Sequence, residues 1–263
     1  MPERKTALVT GASSGIGLEL ARIFAREGYN LVLVARDADR LRLLASEVEK
    51  AHGTRSLILA TDLAEAGSAA YVLDQTSRAQ IVVDVLVNNA GFGQYGLFAD
   101  NDLEECLRQI QLNVTTLTHL TRLYLPGMIG RTTGRILNVA STAAFQPGPL
   151  MAVYFATKAY VLHLSEALAN ELKGTGVTVT CLCPGATATE FHKRAKATEM
   201  RLLSMGSMDA RTVAEDGYYG LMAGKPVVIS GVKNWLVAQS VRLAPRRLVT
   251  WITRKIQETK SPA

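Results

Sequence analysis

The run Thr6-Ala7-Leu8-Val9-Thr10 is short and apolar, stops at Gly11, and leads through Ala12-Ser13-Ser14 into an apolar helical pattern at Gly15. A strand that turns on glycine straight into a helix is the opening of a βαβ unit, and the pattern recurs along the chain. Further short apolar runs stand at Leu31–Val34, Leu57–Ala60, Val82–Val87, Arg135–Val139, Val177–Cys181 and Val227–Ile229. Helical periodicity fills the intervals, notably at Asp37–His52, Gly15–Glu27, Leu103–Leu125 and Val153–Leu172. Apolar strands separated by helices predict a parallel sheet buried on both faces and joined by right-handed crossovers. No repeat or linker divides the 263 residues, and a hydrophobic content of 48% with 20% charged residues is that of a globular chain. The expected architecture is therefore a single-domain α/β, doubly wound fold over residues 1–231, followed by a basic, amphipathic extension at 232–263.

The turn Gly11-Ala12-Ser13-Ser14-Gly15-Ile16-Gly17 carries the first chemical signal. Gly11 suits a tight turn, Gly15 and Gly17 allow close backbone approach, and a helix N-terminus presents free N–H groups to a pyrophosphate. Its spacing departs from G-x-G-x-x-G, so the reading rests on its place between the first strand and the first helix. Arg36 follows the second strand, where its guanidinium fork suits a ribose 2′-phosphate, with Ser13 or Ser14 as a further donor. Asp37 beside it would repel that phosphate unless it caps the helix starting at Ala38. Asp62 ends the third strand and offers either a partner for an adenine amino group or another cap, before Ala64. NADP(H) is the expected cofactor, with NAD(H) as the alternative.

Charge argues against a nucleic-acid role. The net charge of +6 resides at the end of the chain, where Lys233, Arg242, Arg246, Arg247, Arg254, Lys255 and Lys260 face only Glu258. The remainder is electrically balanced. Cys106, Cys181 and Cys183 lack metal-ligand spacing, and His52, His119, His163 and His192 are scattered, so buried thiols and no metal site are expected. MPERKTALVT shows no signal-peptide pattern and no run reaches about 18 apolar residues, which predicts a cytoplasmic location. In the tail, Leu248, Trp251, Ile252 and Ile256 share one helical face ringed by Arg247, Arg254 and Lys255. That face would dock on the body or on another subunit, or else lie on a membrane surface.

Taken together, TGASSGIG at 10–17, DL at 62–63, NNAG at 88–91, Asn113, Ser141, YFATK at 154–158 and PG at 184–185 resemble the short-chain dehydrogenase/reductase family. The motifs arrive in the family's order and cover roughly residues 5–190. The resemblance implies a Rossmann-type sheet of about seven parallel strands in the order 3-2-1-4-5-6-7. It implies a catalytic tetrad of Asn113, Ser141, Tyr154 and Lys158, and a homodimer or homotetramer.

Cofactor contacts would come from Gly11, Ser13, Ser14, Gly15, Ile16 and Gly17, from Arg36, Asp62 and Leu63, and from Tyr154 and Lys158. Asn89 and Gly91 would join these contacts, and Asn88 and Ala90 would line the adenosine side. Pro184 and Gly185 would lie near the nicotinamide, with Thr187 and Thr189 as rival hydroxyls. Tyr154 becomes a proton donor once a neighbouring ammonium lowers a phenol pKa of about 10. Lys158 would be that tuner, Ser141 would stabilise the growing oxyanion, and Asn113 would mark a helix kink whose bound water feeds Lys158.

Phe92, Gln94, Ala143, Phe145, Gln146, Leu150, Met151 and Phe191 flank this site in sequence as substrate candidates. A lid is expected over about 190–210, where Met200, Leu202, Leu203, Met205 and Met208 favour a hydrophobic substrate and Lys193, Arg194, Lys196 and Arg201 would admit an anionic head. The leading function is a ketone or aldehyde reductase. The alternatives are a non-catalytic NADP(H) sensor or scaffold, and an acyl-chain ketoreductase at a membrane surface.

Overall fold

A computed structural model describes residues 4–191, 195 and 206–258. Seven strands form one sheet in the order β3-β2-β1-β4-β5-β6-β7, every pair parallel. They are β1 (Thr6–Thr10), β2 (Asn30–Ala35), β3 (Ser56–Ala60), β4 (Val85–Asn88), β5 (Gly134–Val139), β6 (Val177–Cys183) and β7 (Val227–Ile229). The helices are α1 (Gly15–Arg26), α2 (Ala38–His52), α3 (Ser68–Arg78), α4 (Leu103–Ile110), α5 (Leu117–Gly130), α6 (Ala152–Glu171), α7 (Ala210–Met222), α8 (Val232–Ser240) and α9 (Arg246–Gln257). A π-helical turn, Gln111–Thr116, separates α4 from α5. Among the described residues no helix is long and apolar enough to cross a membrane.

The two faces of the sheet follow from the two-residue period of a strand. Ala7 and Val9 of β1, with Leu31 and Leu33 of β2, pack against α1, α2 and α7. Leu8, Val32, Val34, Leu86 and Ile136 face α3 and α5 on the other side. Strands buried on both faces explain why β1 and β4 read as unbroken apolar runs.

The observed β4 is shorter than the expected Val82–Val87. Asp84 sits just before it and joins β1 by two bonds, its N–H donating to Thr6 O at 2.9 Å and its carboxylate accepting from Thr6 N at 2.8 Å. The expected helix at Leu103–Leu125 is likewise three pieces, α4, the π turn and α5.

Two polar devices shape the carboxyl edge of the sheet. Thr10 Oγ1 donates to Val87 O at 3.1 Å and accepts from Asn89 N at 2.9 Å and Ala90 N at 3.0 Å. The end of β1 thus holds the chain leaving β4. Beneath, Asn88 Nδ2 donates to Asn138 Oδ1 (2.9 Å) and Thr121 Oγ1 (3.0 Å), and Asn138 Nδ2 donates to Ser165 Oγ (2.9 Å). This buried chain ties β4 and β5 to α5 and α6. Asn88, expected on the adenosine side, instead points inward, because alternation turns Asn88 and Asn89 to opposite sides.

Thr10→Val keeps shape but orphans two N–H groups, each costing about 1–3 kcal/mol. Thermal denaturation should show a clear fall in Tm for Thr10→Val and recovery in Thr10→Ser; equal stability of all three would remove the clamp from the account.

Candidate active site

A cavity of about 1130 Å³ runs along the carboxyl edge of the sheet, from the glycine turn to the last helix. Ligands of doubly wound sheets bind at this edge, where the crevice opens as strand order reverses between β1 and β4.

At one end stands the turn from β1 into α1. Gly11 has φ +67°, and a Cβ there would come within 2.7 Å of Asn89 Nδ2. A Cβ on Gly17 would strike Asn89 Nδ2 and the Gly11 carbonyl. Asn89 Nδ2 in turn donates to Thr10 O at 2.8 Å, so the turn is stitched to the end of β4. Ser14 begins α1 without a side-chain cap, and no acid occupies the first turn. The helix thereby keeps N–H groups and its positive end for an anion. Gly11, Ser13, Ser14, Gly15 and Ile16 line the cavity, whereas Gly17 is buried beneath it as a packing glycine. These features fit the pyrophosphate of a dinucleotide.

Arg36 and Asp62 face the cavity at the ends of β2 and β3, and Leu63 follows. Asp37 caps α2, accepting from Arg40 N at 3.0 Å, so its carboxylate is engaged as the capping alternative requires. Arg36 stays 63% exposed and reaches Asp62 only at 3.8 Å. Asp62 does two things: Oδ1 accepts from Ala64 N at 2.9 Å and Oδ2 from Arg108 Nη2 at 2.8 Å. Arg108, on α4, lines the cavity and was not foreseen, because nothing in its local sequence points to a site. Asn89, Ala90 and Gly91 complete this end.

The centre is formed by the end of β5 and by α6. Ser141 follows β5, accepts from Ala143 N at 3.1 Å and lies 3.4 Å from Pro184 O, to which it donates. Leu150, at φ +69°, adopts the left-handed conformation in the turn before α6, a strained geometry for a leucine. Tyr154 and Lys158 then project one turn apart from the same face. Lys158 is buried, and its Nζ donates to Val139 O at 2.7 Å and lies 5.8 Å from the Tyr154 ring centre.

Burial pulls Lys158 down from 10.5 to about 8, against small opposing effects of Cys181 and Cys183. Burial pushes the Tyr154 phenol up to about 12, with the hydrogen bond to Ser141 pulling the other way. The expected lowering of the phenol by Lys158 is not seen: burial dominates, and the opposing effect comes from Ser141.

Asn113 sits in the π turn, 1% exposed. Its Nδ2 donates to Phe92 O (2.9 Å) and Thr157 Oγ1 (3.1 Å), and its Oδ1 accepts from Phe92 N (3.2 Å). The side chain holds the loop after β4 against α6, next to Tyr154 and Lys158. The expected kink is the π turn, a feature often found at functional positions.

Beyond this centre, Pro184, Gly185, Thr187 and Thr189 line the cavity. Thr187 Oγ1 donates to Gly185 O at 3.0 Å, while Thr189 packs its methyl over Gly15. Of the substrate candidates, Phe92, Ala143, Gln146, Met151 and Phe191 reach the cavity. Gln94 does not: its Oε1 accepts from Cys106 Sγ of α4 at 3.4 Å. Phe145 does not either, because it packs with Leu117, Ala140 and Ala144 behind the site. Leu150 is absent from the lining as well.

Of the expected lid, Met208 is seen to line the cavity, its backbone paired with Ala186 and Ala188. His192, Lys193, Arg194, Lys196, Met200, Arg201, Leu202, Leu203 and Met205 lie outside the described residues, as does Lys260.

The far wall is the extension itself. Val249, Thr253 and Gln257 form the inward stripe of α9, and the Tyr95 hydroxyl donates to Gln257 O at 2.9 Å. The Gln257 amide is buried at the cavity with neither end hydrogen-bonded. The extension therefore docks on the body, but by a stripe one residue removed from the Leu248–Trp251–Ile252–Ile256 face expected to dock. Residues of α8 and α9 belong to the site although they lie about a hundred residues from Tyr154, a distance no local motif bridges.

The family model described as short chain dehydrogenase matches residues 5–200. A short chain dehydrogenase of Pseudocercospora fijiensis is 38% identical over 71% of this chain and 61% of its own length. A very-long-chain 3-oxoacyl-CoA reductase of Laccaria bicolor is 35% identical over 74% of this chain and 58% of its own. The chain thus spans about three fifths of the length of these curated relatives. A solved short-chain dehydrogenase from Sphingobium yanoikuyae in complex with NADPH is 36% identical. It superposes with a TM-score of 0.82 over 91% of this chain and 94% of its own. By motif, fold and similarity alike, this chain belongs to the short-chain dehydrogenase/reductase family.

Proposed function

We propose that the protein is an NADP(H)-dependent oxidoreductase that interconverts a hydrophobic ketone or aldehyde and the corresponding alcohol. One observation carries this reading: Ser141, Tyr154 and Lys158 meet on the wall of a single cavity that also holds the uncapped start of α1. Bound NADPH would supply a hydride to the carbonyl carbon. Tyr154 then donates its phenolic proton to the carbonyl oxygen as negative charge develops there. Ser141 Oγ donates a hydrogen bond to the same oxygen and stabilises that charge before the proton arrives.

Lys158 acts on the phenol from the buried side, where a charged ammonium favours the phenolate and so makes the proton easier to release. Burial raises the phenol to about 12 while the hydrogen bond to Ser141 pulls the other way, so the acid keeps its proton until charge develops on the carbonyl oxygen. Asn113 touches neither reactant and is a positioning residue, holding Phe92 and Thr157 beside the acid.

The cofactor preference rests on Arg36. Its exposed guanidinium points along the cavity edge, its nearest acid is 3.8 Å away, and Asp37 is engaged as a cap. The NADPH complex of the Sphingobium relative supports the same choice. The substrate end is apolar, with Met151, Phe155 and Phe191 around Tyr154 and the α9 stripe opposite. An acyl-chain 3-oxo substrate is the second reading, favoured by that wall and by the 3-oxoacyl-CoA reductase among the relatives. A non-catalytic sensor has no chemical use for an acid and ammonium paired in this way.

Tyr154→Phe should bind NADPH as the wild type does, by fluorescence titration, while carbonyl reduction falls by at least about a hundredfold; near-normal turnover would remove Tyr154 as the acid. Arg36→Ala should weaken NADPH by about ten- to a hundredfold and leave NADH nearly unchanged, since only the phosphate contact, worth about 1.5–3 kcal/mol, is lost. Equal loss for both cofactors in the same titration would contradict the assignment.

A further inference from the structure

The inward stripe of α9 leaves a second apolar face uncovered. Leu248 and Trp251 are 47% and 60% exposed, and in front of them Leu236 and Leu243 are 57% and 90% exposed. Val232 and Trp235 of α8 are exposed as well. Of the large apolar side chains exposed anywhere on the described residues, this is the longest sequence-continuous group. Lys233, Arg242, Arg246 and Arg247 stand within it, and none has an ion-pair partner among the described residues. Arg254 and Lys255 share one acid, Glu258, at 3.5 and 3.1 Å.

We infer that this face of α8 and α9 seats on an anionic lipid bilayer. An amphipathic helix with tryptophan and leucine outward and arginine at its flanks gains from both apolar burial and attraction to acidic headgroups. The competing occupant, a second copy of the chain, is disfavoured by charge. A twofold contact sets the same patch against itself, which would bring eight unpaired cations together with no acids between them. A neutral apolar partner would leave those cations desolvated without compensation. Acidic headgroups satisfy both features at once.

The geometry has one further consequence. Val237 and Ile252 are exposed on this face and also line the cavity, so the surface continues from outside into the site. A chain seated in this way opens its cavity at the lipid boundary.

Vesicle sedimentation tests the inference without reference to catalysis, so its failure leaves the proposed reaction untouched. The full chain should sediment with phosphatidylcholine vesicles containing phosphatidylserine, sediment poorly with phosphatidylcholine alone, and be released by high salt. Neutralising Arg246 and Arg247 as Arg246→Gln/Arg247→Gln should weaken binding about fivefold per charge. Leu248→Glu/Trp251→Glu should abolish it while leaving the thermal transition and the elution volume in size exclusion unchanged. The inference is overturned if the unaltered chain fails to sediment with the acidic vesicles. It is equally overturned if the Leu248→Glu/Trp251→Glu chain elutes as a smaller species than the unaltered one, which would make the face a subunit contact.

Discussion

The site is organised around a buried ammonium. Lys158 is 5% exposed and held by one short hydrogen bond to the Val139 carbonyl at the end of β5. A fall from 10.5 to about 8 corresponds to roughly 3 kcal/mol against keeping that charge. The fold meets this cost with neighbours that cannot move. β5 supplies the carbonyl, the Asn88–Asn138–Ser165 chain fixes α6 to the sheet, and Asn113 fixes the opposite loop to Thr157. A charge that is expensive to hold, adjacent to a phenol that is expensive to ionise, favours any ligand whose binding relieves both.

The cofactor half and the substrate half of the cavity are built differently. The cofactor half consists of backbone: a glycine turn, an uncapped helix and strand ends, with few side chains to choose. The substrate half is made by side chains from segments far apart in the chain: Met151 and Phe155 at the start of α6, Phe191 after β6, and a helix at the far end of the described chain. Met151, Phe155 and Phe191 surround Tyr154, and Gln257 places an amide without partners in the wall beside Val249 and Thr253.

That division accounts for what the sequence made legible. Strand runs, their helices and the glycine turn are local patterns, and all seven expected strands form, though β4 starts only at Val85 and a π turn breaks the helix expected over Leu103–Leu125. The cap at Asp37 was one of two readings of a single residue, resolved only by the bond from Arg40 N. Asn88 and Asn89 are adjacent and chemically identical, so pleat alone decides which faces the cavity. Gln94 and Phe145 flank the site in sequence, yet loop geometry turns one to Cys106 and the other to Leu117. In α9 the apolar claim belongs to Leu248, Trp251, Ile252 and Ile256, yet the mostly polar stripe of Val249, Thr253 and Gln257 faces inward, where the Gln257 carbonyl accepts from the Tyr95 hydroxyl. Local spacing names the faces of an element; packing against distant segments chooses among them.

The central claim is that this cavity brings reduced nicotinamide and a carbonyl together beside Tyr154. The most direct measurement uses NADPH carrying deuterium at the reactive ring carbon and a panel of bulky ketones, aldehydes and 3-oxoacyl thioesters, with products analysed by mass spectrometry. The account predicts an alcohol with one deuterium on the former carbonyl carbon, formed in step with cofactor oxidation. A chain that binds the cofactor tightly but transfers no deuterium to any member of the panel would contradict it.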